Sequence, residues 1–194
     1  PISYIINDCI AEVWGYRKAR LIIWLGFMMN FFVVLMGGLA CVLPPIVPGS
    51  DASFREVFGF APQVAVASFT AFIVGSFLNA WVMSRMKIAA RDSSHFNIQF
   101  SLRAILSTIV GEGADSLIFF PLAFYLLPML VEGQPKVSVD ILMSLMLTQV
   151  VAKTLYEVLV LPLTIRVVKF VKKYEEVDVY DENISYNPLK INQL

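Results

Sequence analysis

Four long apolar stretches constrain what this sequence can fold into. A helix needs about 20 apolar residues to cross the hydrocarbon of a bilayer. The stretches that reach this length are Leu21–Leu43, Pro62–Met83, Ile98–Leu127 and Val139–Val168. The sequence is 58% hydrophobic and only 15% charged, which is more apolar than a soluble domain can bury. It therefore predicts an all-α fold, a polytopic transmembrane helix bundle embedded in a lipid bilayer.

A shorter apolar segment, Ile2–Trp14, precedes the first of these stretches. It is too short to span a bilayer alone, and we interpret it as the end of a fifth membrane helix or as a re-entrant segment. Because apolar residues follow directly after Pro1, we expect another helix to precede the sequence. We therefore expect about five helices here, with the bundle in residues 1–173 and a tail in residues 174–194.

The charges between the apolar stretches alternate along the chain. The segments Arg17–Arg20, Arg85–Ser94 and Lys169–Lys173 are basic, whereas Pro44–Ala61 and Val131–Asp140 show little positive bias. Basic loops of membrane proteins stay in the cytoplasm, so we expect the C-terminus to be cytoplasmic. We interpret the acidic tail as solvated; the alternative is a cap folded over the cytoplasmic mouth of the bundle.

Three polar clusters interrupt the apolar stretches. A charged side chain at the bilayer centre costs about 2.5–3.5 kcal/mol, so it should face a partner or a polar cavity. The clusters are Asn7, Asp8, Glu12 and the nearby Trp14; Arg103, Ser107 and Asp115; and Gln149, Lys153, Tyr156 and Glu157. Within each cluster the spacing places the polar residues near one helix face. We interpret them as substrate-binding residues and expect their four carboxylates to converge on one cavity near mid-membrane.

Each cluster also has a structural interpretation. The two acids of the first cluster could pair with the bases of Arg17–Arg20, and Arg103 could reach the membrane boundary. Lys153 and Glu157 are spaced for an ion pair within one helix. Asp115, in contrast, has no basic residue one turn away on its own helix. We therefore expect Asp115→Asn to reduce transport more than Lys153→Met does.

The sequence argues against several other classes of function. It has one histidine, His95, in a predicted cytoplasmic loop, and its cysteines, Cys9 and Cys41, form no CxxC motif. We therefore expect no catalytic residue, no metal site and no cofactor. A formal net charge of zero argues against a nucleic-acid partner. An intramembrane enzyme is disfavoured, and a purely structural membrane protein does not explain three charged clusters.

Several stretches together resemble the motifs of one known family. Pro1–Arg20 reads PISYIINDCIAEVWGYRKAR, and two groups follow it: Arg103–Thr108 with Asp115–Phe119, and Gln149–Lys153 with Tyr156, Glu157 and Pro162. In this order they are similar to the vitamin-uptake transporter family, whose members include queuosine-precursor transporters. Trp14 departs from the family's pattern, in which tyrosine is more usual at that position.

The resemblance implies a six-helix protein of the bacterial inner membrane with both ends in the cytoplasm. It also implies a 7-deazaguanine precursor of queuosine as the small-molecule substrate, with Phe119 added to the substrate-binding residues. A carboxylate can accept the base's N–H and amine together, Gln or Lys can donate to its carbonyl, and Trp or Tyr can stack on its ring. Proton coupling and a homo-oligomer stay open. The alternative function is a substrate-binding membrane subunit of an ATP-driven vitamin uptake complex.

Overall fold

The computed structural model describes residues 2–44, 52, 61–90, 96–130 and 137–190. This part of the chain is helical and contains no β-strand. Its long helices are α1 (Ile2–Val42), α2 (Ala61–Ala89), α3 (Phe96–Pro121) and α4 (Val139–Glu175). A π-helical turn, Leu122–Leu126, and a last turn, Leu127–Leu130, continue α3. The prediction of an all-α helix bundle is confirmed.

The length and composition of the helices indicate a multi-pass membrane protein. Among the described residues, the segments long and apolar enough to cross a membrane are Ile2–Val42, Val64–Ala89 and Phe96–Met129. The fourth predicted span falls within the 37 residues of α4, and its crossing stays a prediction. Outside the described residues lie His95 and parts of the predicted loops Pro44–Ala61, Arg85–Ser94 and Val131–Asp140.

A single residue, Gly15, divides α1 into two arms. Its φ of 80° and ψ of 177° are not helical, and glycine adopts such a positive φ without a Cβ penalty. The sequence predicts a loop at Arg17–Arg20, but these residues are helical in the structure. That prediction is wrong because the whole change of direction is made at Gly15.

The first arm of α1 follows α2 in the same direction. The Tyr4 hydroxyl lies against Gly75, since a Cβ built there would be 2.5 Å from Tyr4 Oη. Further along both helices, Lys87 Nζ of α2 donates a hydrogen bond to the Glu12 carbonyl of α1 at 2.5 Å. Increasing residue numbers in this arm therefore match increasing numbers in α2.

The second arm of α1 runs back along α2. The rings of Trp24 and Phe77 lie 6.1 Å apart, and those of Phe31 and Phe69 lie 6.2 Å apart. Increasing numbers in this arm match decreasing numbers in α2, so the chain reverses at Gly15. Arg17–Arg20 consequently lies at the end of the bundle where α2 ends.

Close backbone contact joins α2 to α3 beside the first arm. A Cβ at Gly75 would lie 2.8 Å from the Gly111 carbonyl, and a Cβ at Gly111 would lie 2.7 Å from Asn79 Cβ. Small residues allow such close approach of helices in membranes. Gly113, two residues further along α3, has open space around its missing Cβ.

The segment after α4 folds back over the reversal in α1. It turns at Glu176, whose φ is 53°. The Val179 N–H then donates to the Val13 carbonyl at 3.1 Å, and Asp181 Oδ2 accepts a hydrogen bond from the Tyr16 N–H at 2.8 Å.

Side chains of the second arm hold the rest of this segment. Arg20 Nη1 donates to the Asn187 carbonyl at 2.9 Å, and Trp24 Nε1 donates to the Pro188 carbonyl at 2.9 Å. The described tail is therefore held on the bundle, although most of its residues, including every acidic one except Asp181, stay exposed. The alternative, a cap on the end of the bundle, describes them, while the side of the membrane stays a prediction.

Candidate functional site

Charged side chains, most of them buried, form two networks where α1, α2, α3 and α4 meet. The first, which we call the carboxylate cluster, contains Asp8, Glu112, Asp115, Lys153 and Glu157. The second, which we call the basic-end network, contains Glu12, Lys87, Arg103, Lys172 and Asp178. Asp8 and Glu12 share one face of α1 but lie one turn apart, and each belongs to a different network.

Lys153 of α4 lies between two carboxylates of α3. It forms an ion pair with Glu112, and its Nζ is 3.6 Å from Asp115 Oδ2. The sequence-based pairing of Lys153 with Glu157 within α4 is therefore wrong. Glu112 and Asp115 are three residues apart and present neighbouring like charges, so a lysine from the facing helix compensates both.

Asp8 of α1 and Glu157 of α4 lie within hydrogen-bonding range of each other. Ser107 Oγ is 3.4 Å from each carboxylate oxygen of Asp8. The side chains of Asn79 and Thr108 flank the pair. Asp8 is 0% exposed and Glu157 is 3% exposed, so the two carboxyl groups are enclosed by the helices.

The two halves of the carboxylate cluster are close enough to interact electrostatically. Glu157 interacts electrostatically with Glu112. Tyr4 interacts in the same way with Asp8, Glu112 and Asp115. The structure thus brings together three of the four carboxylates expected to converge, and it adds Glu112.

Glu12 lies apart from that cluster, in the basic-end network. Its Oε1 accepts hydrogen bonds from Arg103 Nη2 at 3.0 Å and from Lys172 Nζ at 2.7 Å. Arg103 is 5% exposed within the chain, and its position at the membrane boundary stays a prediction. Glu12 forms its ion pairs with Arg103 and Lys172. These pairs take the place of the pairing with Arg17–Arg20 that the sequence suggested.

Several predicted site residues lie away from the carboxylate cluster. Trp14 lines a 260 Å³ surface depression with Ile10, Lys18, Leu21 and Ile22. Phe119 packs on the rings of Phe120 and Phe124, with centroid distances of 5.3 and 5.8 Å. Asn7 donates from Nδ2 to Asn79 Oδ1 at 2.9 Å and so ties α1 to α2.

Gln149 and Tyr156 are exposed on α4, although the sequence places them on one face with Lys153 and Glu157. On an α-helix Gln149 and Tyr156 lie about 40° and 60° to one side of Lys153, while Glu157 lies about 40° to the other. Only the Lys153–Glu157 edge of this face meets the other helices. The spacing of polar residues along one helix does not show which of them the neighbouring helices cover.

The sequence underestimates several residues of the two networks. Glu112 and Asn79 are not among the substrate-binding residues that the sequence predicts, and Lys172 and Asp178 fall in a basic segment and in the tail. The spacing of Glu112 and Asp115 carried a usable signal, because residues three apart share a helix face. Nothing in the local sequence marks Asp178, since its partners are 91 and 6 residues away in the chain.

Asp178, outside the membrane segments, joins the tail to the basic-end network. Its Oδ1 accepts hydrogen bonds from Lys87 Nζ at 2.6 Å and forms an ion pair with Lys172 Nζ at 2.9 Å. Partial burial raises the pKa of the Asp178 carboxyl, but the two lysines outweigh that effect and hold the pKa below its ordinary value.

The carboxylate cluster retains unused hydrogen-bonding capacity. Glu112 Oε1, Ser116 Oγ and Glu157 Oε2 are buried and have no hydrogen-bond partner among the described residues. Buried polar atoms normally have partners, so these oxygens can accept protons or donors from a ligand. In the same part of the chain, no group of three His, Cys, Asp or Glu residues could hold a metal ion.

Apolar helices around a buried charged cluster define a class of protein: a multi-pass membrane protein with a polar site inside it. The family model described as "Putative vitamin uptake transporter" matches residues 1–167, and the chain belongs to that family. The family membership predicted from the sequence motifs is confirmed.

Two curated relatives carry the same name, "Probable queuosine precursor transporter". The protein of Bacillus subtilis (strain 168) is 31% identical over 122 residues, which cover 62% of this chain and 52% of the relative. The protein of Haemophilus influenzae (strain ATCC 51907 / DSM 11121 / KW20 / Rd) is 27% identical over 139 residues, covering 64% and 49% respectively. The chain thus spans about half the length of these relatives. No solved structure matches the chain.

Proposed function

We propose that this chain transports a 7-deazaguanine-type precursor of queuosine across the bacterial inner membrane. The observation that carries the proposal is the position of Lys153 between Glu112 and Asp115 in a buried cluster. The family and the names of the two relatives support the substrate class.

The Asp115–Lys153 edge is the part of the cluster that a substrate can reach. The side chains of Asp115 and Lys153 are 22% and 23% exposed, whereas Glu112 is fully buried behind them. A deazaguanine base presents an N–H and an amine side by side, which one carboxylate can accept together. Asp115 would accept this pair, and Lys153 would donate to the adjacent carbonyl.

Binding would exchange a weak contact for stronger ones. The Lys153–Asp115 distance of 3.6 Å is longer than a charge-assisted hydrogen bond of about 2.7–2.9 Å. Lys153 can therefore keep its ion pair with Glu112 while Asp115 turns to the substrate. The positive charge stays in place, so neither carboxylate of α3 is left without compensation.

Transport in this proposal is driven by an ion gradient and is coupled to protons. The sequence contains no P-loop, and membrane carboxylates commonly serve as proton relays. We assign no catalytic role to any residue. The C-terminal cap would lie on the cytoplasmic side, as the alternation of basic segments indicates.

The second candidate is a substrate-binding subunit of an ATP-driven vitamin uptake complex. Such a subunit needs a small-residue docking face, for which Ala65, Ala67 and Ala71 of α2 are the sequence candidates. These alanines are 7%, 0% and 0% exposed within this chain, and this burial favours the transporter. Copurification of the protein with an ATPase would favour the subunit instead.

Uptake by cells tests the proposed function. Bacteria that cannot make 7-deazaguanines would receive a labelled 7-deazaguanine with and without this protein. We expect accumulation, and incorporation of the label into tRNA, only when the protein is present. Equal accumulation in both strains would show that the protein does not carry this substrate.

A matched pair of variants tests the recognition site. Asp115→Asn places an amide donor against the donors of the base, and an unpaired buried donor costs about 1–3 kcal/mol. We expect about a tenfold or greater rise in the substrate concentration for half-maximal uptake. Asp140→Asn, at the exposed start of α4, is the control and should leave uptake unchanged.

A further inference from the structure

Asp8 and Glu157 differ from the other buried carboxylates in their partners. Glu12 has Arg103 and Lys172, while Glu112 and Asp115 share Lys153. No basic side chain among the described residues forms an ion pair with Asp8 or Glu157. The two acids instead face each other across the contact between α1 and α4.

Such a pair requires an occupant. Two ionised carboxyl groups side by side repel each other strongly, and that repulsion is relieved when they share a proton or a cation. Glu157 Oε2 is buried and has no hydrogen-bond partner among the described residues. This unpartnered oxygen is an independent sign that the site receives something from outside the chain.

The enclosure of the pair selects a proton as that occupant. Exposures of 0% for Asp8 and 3% for Glu157 leave no path for a bicyclic base. A metal cation would need a shell of several oxygen ligands, and among the described residues no group of three His, Cys, Asp or Glu side chains could hold one. A proton needs only one oxygen from each carboxyl group.

We propose that Asp8 and Glu157 hold the transported proton between them and form the ion-coupling site. This inference rests on the proposed function and divides it between two places. The Asp115–Lys153 edge recognises the base, and the Asp8–Glu157 pair binds the proton. The two places are adjacent, because Glu157 is within electrostatic range of Glu112, which holds Lys153.

Other titratable groups on α1, α3 and α4 lie around the pair and shape its response to pH. From α1 come Tyr4, Cys9 and Glu12; from α3 come Arg103, Glu112 and Asp115; from α4 comes Lys153. The described neighbour from α2 is the amide Asn79, which does not titrate. Lys153 forms an ion pair with Glu112 and so sets the negative electrostatic potential at the Asp8–Glu157 pair. Through this potential Lys153 couples substrate binding to proton binding.

Proton movement by the unmodified protein is the first test. The full-length protein would be reconstituted in vesicles that contain a pH-sensitive dye, and a labelled 7-deazaguanine would be added outside. We expect protons to enter the vesicles together with the substrate. An imposed pH gradient should drive substrate accumulation at least tenfold above the level without a gradient. Substrate uptake without any proton flux would overturn the coupling site and leave the proposed function standing.

Two substitutions then locate the site. Glu157→Gln and Asp8→Asn each imitate a permanently protonated acid, so they should keep one-for-one exchange of labelled for unlabelled substrate. Exchange needs no net proton movement, and it also shows that the variant is folded. We expect both variants to lose gradient-driven accumulation by at least tenfold, while Asp140→Asn keeps it.

The outcomes separate the two proposals. Gradient-driven accumulation and proton flux at wild-type levels in either variant would remove the Asp8–Glu157 pair as the proton site. Absence of both uptake and exchange in the wild-type protein would refute the proposed function itself. If the variants do not fold, the proton flux of the wild-type protein still decides whether coupling exists.

Discussion

At the residue scale, Lys153 is the side chain on which the carboxylate cluster depends. It neutralises part of the charge on two acids of α3 from a position on α4. Removal of one partner from a buried ion pair costs about 3–5 kcal/mol, because the other charge is left uncompensated. The cluster therefore tolerates the loss of an acid better than the loss of its lysine.

This dependence reverses the ranking that the sequence predicts. We now expect Lys153→Met to reduce uptake more than Asp115→Asn, because Lys153→Met leaves Glu112 buried without a cation, whereas Asp115→Asn preserves the Lys153–Glu112 pair. Uptake normalised to membrane abundance measures the difference. Adding Glu112→Gln to Lys153→Met should restore abundance, and wild-type uptake in Lys153→Met would contradict the assignment.

At the scale of single elements, the reversal in α1 and the cap form one unit. Gly15 permits the reversal, and Asp181 Oδ2 accepts hydrogen bonds from the Tyr16 N–H at 2.8 Å and from Ser84 Oγ at 2.5 Å. The Asp181 carboxylate thus satisfies a free N–H where the second arm of α1 begins, and a negative charge is favourable at that end of a helix.

Gly15→Ala should destabilise this unit. A Cβ there would lie 2.6 Å from Asp181 Oδ1, and φ is +80°. The φ of 80° with a ψ of 177° is a conformation essentially restricted to glycine that costs another residue about 1–3 kcal/mol, and the clash adds to that cost. We expect a lower melting temperature in detergent for Gly15→Ala and an equal or higher one for Gly113→Ala, whose Cβ would meet nothing within 4 Å and where alanine favours the helix. Equal melting temperatures for both variants would contradict the role of Gly15.

The attachment of the cap should depend on pH through Asp178. Because the folded-state pKa of Asp178 is depressed, its contribution to stability is complete above its ordinary pKa of about 3.9. The contribution is lost as the pH falls through the lower folded-state value. We expect Asp178→Asn to have a lower melting temperature than the wild type at pH 7, and this difference to shrink as the solution is acidified below about pH 4. A difference that persists in acid would show that Asp178 acts by other means.

At the scale of the whole molecule, the basic residues gather at one end of the bundle. The reversal at Gly15 brings Arg17–Arg20 to the end where Lys87 lies, and the Glu12–Lys172 contact places the end of α4 there too. All three basic segments therefore lie on the same side of the membrane, as the positive-inside rule requires.

Labelling of single cysteines tests this geometry and the orientation separately. With Cys9 and Cys41 replaced by serine, Lys18→Cys and Lys173→Cys should react with an impermeant thiol reagent only from the cytoplasmic side. Val42→Cys, at the other end of α1, should react from outside. Labelling of Lys18→Cys and Lys173→Cys from opposite sides would contradict the fold, whereas labelling of both from outside would contradict only the orientation.

The sequence by itself determined the helical class and most of the charged site. Apolar runs of about 20 residues have few alternatives to membrane helices, since backbone groups in lipid must be satisfied internally. The burial cost of Asp8, Asp115 and Glu157 likewise marked them as facing other helices. These conclusions follow from local composition, so no knowledge of helix packing was needed.

Only the tertiary structure decided which charges meet. Lys153 had a suitable partner one turn away in Glu157, yet it pairs with Glu112 on another helix. The acidic tail read as solvated, yet Asp178 and Asp181 bind lysines, a backbone N–H and a serine far away in the chain. Spacing along one helix defines a polar face, but the rotation of that helix against its neighbours selects the residues that touch. That rotation follows from contacts such as Gly75 with Gly111, which join segments distant in sequence.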